Sequence, residues 1–150
     1  MLSEVSMSRI TALIKLSGSS VRLNVENYFP DNRNVGGKYK MSDHSITLYL
    51  KEIEEQCSSL LGSLEQLDEY ITIIFAHELG HAEDHELTEL SDRLDSAFSE
   101  MEHNLIALRI EENAWRYARE ILGLAAGQLF DTIVEHSLQA YRLSVQADIA

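Results

Sequence analysis

The stretch Ile71-Thr72-Ile73-Ile74-Phe75-Ala76-His77-Glu78-Leu79-Gly80-His81 decides how the rest of the chain is read. Its first six residues are apolar on nearly all sides, which marks a buried central helix rather than a surface one. His77 and His81 stand four residues apart, so on a helix they project from one face, one turn apart. Two imidazoles so placed can each bring a nitrogen to about 2.0–2.1 Å from a single zinc ion. Glu78 points beside such an ion, where a carboxylate can take a proton from water held there. Gly80 lowers helix propensity by about 1 kcal/mol, so its place in the motif implies that something packs closely against this turn.

A catalytic zinc needs a third protein ligand. Downstream, Glu111 lies on the row Ala107, Glu111, Ala114, Ala118, Ile121, Ala125, which recurs in three- and four-residue steps. It is the one charged residue of that row, and a carboxylate facing a core is costly unless paired or metal-bound. Glu112 lies off the row, beside Leu108 and Trp115. His85 is one further turn along the zinc helix, but three histidines spaced by four drift around a straight helix and converge poorly on one ion. It reads as a solvated histidine among Glu83, Asp84 and Glu86. A second donor for a developing oxyanion is His136, on the row Leu129, Ile133, His136, Ala140, Leu143, with Tyr141 and Tyr117 as weaker candidates. His136 also has a bland reading, as a satisfied core histidine. His44 and His103 give no usable signal, and Cys57 reads as structural.

Outward from the motif, residues 3–17 carry a helical pattern ended by Gly18. Val21-Arg22-Leu23-Asn24-Val25 alternates as a strand does, and residues 26–36 read as a loop. Lys38 to Met41 begins a hairpin that turns near Ser42-Asp43-His44 and returns along Ile46-Thr47-Leu48-Tyr49-Leu50. Helix or turn is expected at 51–61 and helix at 66–86; 88–100 is acidic and weakly periodic. Further helices are expected at 102–123 and 128–147. The sum is an α+β domain: an N-terminal helix, a small sheet, then three or four helices.

The chain has 150 residues, the length of about one domain, and 45% of them are apolar. A single cysteine excludes an internal disulfide framework and fits a reducing cytoplasm. The first 18 residues show no signal-peptide pattern, and no apolar run is long enough to cross a membrane. A net charge of −13 repels phosphate backbones, so no direct nucleic-acid binding is expected. The same charge is compatible with a basic or unstructured protein partner.

With HELGH on one helix and a glutamate on a later one, the chain resembles the gluzincins, a class of zinc peptidases. Within it the chain is most similar to the small ImmA/IrrE-type metallopeptidases. The residues that carry the likeness are Gly37-Lys38-Tyr39 leading to Ile46-Thr47-Leu48, then His77 to His81, then Glu111-Glu112-Asn113-Ala114-Trp115-Arg116-Tyr117-Ala118. The family pattern has a second glutamate where this chain has Asn113, and Asn or Asp where it has Trp115. The latter position often supplies the partner that orients a zinc-bound histidine, and losing such a partner typically costs about 10–100-fold. Asp84 or Glu112 would then have to substitute. The resemblance implies a minimal zincin-like domain with a central zinc helix, a glutamate helix and a C-terminal helix. It implies a cytoplasmic enzyme, often phage-borne, that cuts a partner such as a transcriptional repressor. It also implies an extended substrate paired with the edge strand beside the cleft, matched here to about 45–50. The expectation is therefore a zinc endopeptidase with His77, His81 and Glu111 on the metal, Glu78 as general base and His136 as auxiliary donor, acting on a protein substrate. The alternative is a zinc-holding, non-cutting protein-binding module of the same fold.

Overall fold

The computed structural model describes residues 1–149. Helix α1, Glu4–Ser17, is capped at its start by the Ser3 hydroxyl, which accepts from the Ser6 N–H, and at its end by Gly18 in the left-handed region (φ 70°). Strand β1, Arg22–Glu26, is followed by a loop, then by β2, Gly37–Lys40, and β3, Ser45–Tyr49. Helices α2, Leu50–Leu61, α3, Leu67–Ala82, α4, Leu87–Asp95, α5, Glu100–Leu122, and α6, Gln128–Ile149, complete the chain, with a 3-10 turn at Gly123–Ala125. The α+β reading holds, with five α-helices after the sheet where three or four were expected. The helix that carries His77 and His81 stops at Ala82, a turn short of expectation, and part of the weakly periodic acidic stretch forms α4, anchored by its one buried residue, Leu90.

The sheet has the order β1-β3-β2. β2 and β3 form the expected hairpin, antiparallel with Gly37 opposite Leu48 and Lys40 opposite Ser45. β1 pairs with β3 in parallel, Arg22 opposite Ser45 and Glu26 opposite Tyr49. β3 is therefore the central strand, and Ile46, Leu48 and Tyr49 are buried. This corrects the expectation that 45–50 offers a free edge. The alternation of 46–50 marked a strand, but alternation carries no information on how many neighbours a strand has. The edge on the α3 side of the hairpin is β2.

α3 lies at the centre of the molecule, against α1, α2, α5, β2 and β3. Ten of its residues, from Tyr70 to Gly80, are buried, as its all-round apolar sequence demands. The loop before β2 is tied to α2 at three points. The buried Glu52 carboxylate accepts from the Phe29 N–H at 3.1 Å, the Lys51 N–H donates to the Asn27 carbonyl at 2.9 Å, and Gln56 Nε2 donates to the Asn34 carbonyl at 3.1 Å. These bonds hold Asn34 to Gly37 beside α3. No helix among the described residues is long and apolar enough to cross a membrane.

Candidate metal centre

His77 and His81 project from one face of α3, their ring centroids 4.7 Å apart. A ligand atom from each of His77, Glu78 and His81 lies within 4.8 Å of the others, so this group could hold a metal ion. Glu111, from α5, closes onto both imidazoles: its Oε1 lies 3.1 Å from His77 Nε2 and its Oε2 lies 3.2 Å from His81 Nε2. These are ion-pair distances, and they also lie close to the separation of about 3.3 Å between donors that stand about 2.0–2.1 Å from one tetrahedral ion. The site also has the composition of a zinc site, two imidazoles and a carboxylate. Each histidine faces Glu111 through Nε2, and the Nδ1 of His77 meets Glu78 Oε2 at 3.0 Å.

Glycine decides this geometry. A Cβ on Gly80 would sit 2.3 Å from the Ala114 carbonyl oxygen and 2.8 Å from its Cα. The absence of a side chain lets the backbones of α3 and α5 touch, as the motif's glycine implied. One turn earlier on each helix are His77 and Glu111, and the close crossing brings them into contact. Gly37 does the same for the strand: a Cβ there would lie 2.9 Å from Glu78 Cγ. β2 thus runs directly past the Glu78 carboxylate.

The electrostatics follow from burial with three acceptors and donors in contact. Burial opposes a charge on His77, but the Glu78 and Glu111 carboxylates outweigh it and push its pKa up to about 10. Burial likewise works against ionised Glu111, yet its contacts with His77 and His81 hold it well below the usual carboxylate range. Both shifts favour a positive charge on His77 where it sits between the Glu78 and Glu111 side chains.

Trp115 does not supply the missing polar partner. It is buried and stacks on His77, centroids 4.2 Å apart and planes inclined by 21°, while its Nε1 donates to Ser137 Oγ at 3.3 Å. The ring fixes the imidazole by contact where a carboxamide or carboxylate would fix it by hydrogen bond. Neither proposed substitute takes the polar role: Asp84 accepts from Asn113 Nδ2 at 3.4 Å, and the partner of His77 Nδ1 is Glu78.

A cleft of about 480 Å³ opens over His77 and Glu78, walled by Asn34 to Gly37, Tyr70, Trp115 and, from α6, Ile133, His136, Ser137 and Tyr141. His136 is exposed and lines the cleft. Its bland reading as a core histidine is therefore overturned. The inward row of α6 is Leu129, Phe130, Ile133 and Leu138, and the expected members Ala140 and Leu143 are exposed. Tyr141 also lines the cleft and is exposed; partial burial raises its hydroxyl pKa, and the Glu111 and Glu78 carboxylates add to the rise. Tyr117 lies elsewhere, beside Ser17 and Glu83, and His85 is exposed. Cys57 is buried without exposure, its thiol pKa raised by burial, which agrees with a structural role. Gly37 and Trp115 had a legible signal in the sequence, a glycine pair before the hairpin and an aromatic one turn after Glu111, but the partner of each is a tertiary contact. Comparison with protein-family models, with curated proteins and with solved structures gave no match.

Proposed function

We propose that this protein is a zinc-dependent endopeptidase of the gluzincin type. The observation that carries the reading is Glu111: it reaches from α5 to both His77 and His81 at ion-sharing distance, beside Glu78 in an open cleft. His77, His81 and Glu111 would hold the ion, and Trp115 stacks on the His77 ring. A zinc held there would supply a Lewis acid for the scissile carbonyl and would lower the pKa of water toward neutrality. Glu78 is the carboxylate that takes a proton from water and delivers it to the leaving amine. His136 and Tyr141, both on the α6 wall of the cleft, are the groups to donate to the developing oxyanion. The substrate is an extended protein segment, and the family likeness extends this to a repressor of a mobile element. With β3 enclosed, the segment adds to β2.

The test joins metal content to cleavage. About one zinc per chain is expected in the wild type, with strong loss in His77→Ala and Glu111→Ala. Glu78→Gln should retain zinc and lose cleavage of an unfolded polypeptide by at least about 100-fold, the scale of a general-base contribution. The contact between Glu78 Oε2 and His77 Nδ1 favours a second reading, in which Glu78 only orients the histidine and the domain binds without cutting. In that case Glu78→Gln would weaken zinc binding and wild type would cut nothing.

A further inference from the structure

The whole chain carries −13, but the segment 22–49 that builds the sheet holds four basic side chains against three acidic ones. Arg33 and Lys38 bracket the cleft-lining residues Asn34 to Gly37, and both sit over the Phe29 ring, at 5.1 and 5.7 Å from its centroid. Arg33 is bonded to Asp31 at 3.0 Å, whereas Lys38 and Lys40 have no ion-pair partner among the described residues. From 32 to 42 the chain has no acidic residue.

The backbone of β2 says where a polypeptide would meet these lysines. The Tyr49 N–H donates to the Gly36 carbonyl at 2.9 Å. Residues of an antiparallel pair alternate between exchanging these bonds and turning them outward. Lys38 and Lys40 therefore bond to β3, and Gly37 and Tyr39 turn their N–H and C=O groups to the free edge. The side chains alternate the other way: Lys38 and Lys40 are exposed, while Gly37 and Tyr39 face inward, Gly37 against Glu78. In a strand laid along this edge, residues opposite Gly37 and Tyr39 face the cleft. Residues opposite Lys38 and Lys40 share the lysines' solvent face.

We infer that the β2 edge selects acidic substrate segments, with Lys38 and Lys40 pairing with Asp or Glu at alternate positions of the docked strand. This rests on the peptidase reading for the meaning of the cleft and reverses the partner charge expected from composition. Salt at physiological strength screens beyond about 8 Å, so the nearby charges decide: Asp31 is held by Arg33, Asp43 by Arg22 and Ser45, and Glu78 lies behind Gly37 on the face of β2 opposite the lysines. Lysines on a sheet edge also deter self-association, and the experiment separates that role from selection.

The zinc-loaded Glu78→Gln protein is titrated with three short peptides of equal length carrying an uncharged dye: threonine alternating with glutamate, with glutamine or with lysine. The glutamate peptide should bind several-fold to about tenfold more tightly than the glutamine peptide at low salt, the sum of two exposed ion pairs. The margin should shrink as salt is raised, and Lys38→Gln with Lys40→Gln should erase it. Melting temperature and zinc content of that double variant report any folding defect separately. Equal binding of the three peptides, no binding of any, a preference that survives the double variant, or equal capture of a single-stranded oligonucleotide overturns the inference. Wild type that binds the glutamate peptide selectively but never cuts it would count against the peptidase reading alone.

Discussion

At the scale of the residue, the metal-free cluster and the metal-bound one respond to pH in opposite senses. The His77 pKa rises from 6.5 in the unfolded chain to about 10 in the fold, so its stabilisation is fully present below pH 6.5 and is lost as pH rises toward 10. The Glu111 pKa is depressed from 4.5, so its contribution is present above pH 4.5 and lost as pH falls through the lowered value. Chelated protein should therefore lose melting temperature between pH 6.5 and about 10. Zinc requires the imidazoles without their protons, so the stabilisation gained on adding zinc should grow over the same interval. Scanning calorimetry with chelator and with zinc reads both slopes, and His77→Gln should flatten the first. A chelated protein that gains stability over that range would contradict a positive charge on His77 between Glu78 and Glu111. Cys57 gives a simpler expectation: a thiol reagent should react with it slowly in the native protein and rapidly in denaturant.

At the scale of the element, the helix crossing sets the site. Gly80→Ala restores about 1 kcal/mol of helix propensity, but overpacking costs typically about 1–3 kcal/mol and here the opposing atoms are the Ala114 backbone. Overpacking wins, because a backbone cannot rotate out of the way. The variant should melt at lower temperature than wild type and, with Glu111 pushed from the histidines, should also lose zinc. A Gly80→Ala protein with full zinc content would show that the crossing does not position Glu111. Gly37→Ala meets only the Glu78 side chain and Ile74. It should keep zinc and stability and impair cleavage, since the carboxylate must move to make room.

At the scale of the whole molecule, α3 joins the sheet to α5, and the ion would tie α3 to α5 a second time. A ligand at about 1,000 times its dissociation constant stabilises by about 4.1 kcal/mol. For a domain of this size, that corresponds to roughly 8–16 °C of melting temperature. Chelation of the zinc-loaded protein should produce a fall of that order, and Glu111→Ala should show little of it. An unchanged melting temperature in protein known to have carried zinc would mean that the ion does not bridge the two helices.

The local placement of the site's side chains was legible in the sequence. The period of 71–81 and the spacing of His77 and His81 placed two imidazoles on one face of a buried helix. A lone carboxylate in an otherwise apolar row marked Glu111, and alternation marked the hairpin. These are properties of neighbours along the chain, and helix and strand geometry convert them directly into faces. The order of the strands, the stacking of Trp115 on His77, the exposure of His136 and the place of Tyr141 in the cleft wall were decided only by the tertiary structure. Each depends on the packing of elements far apart in sequence, and periodicity shows which side of an element is apolar without showing what covers it.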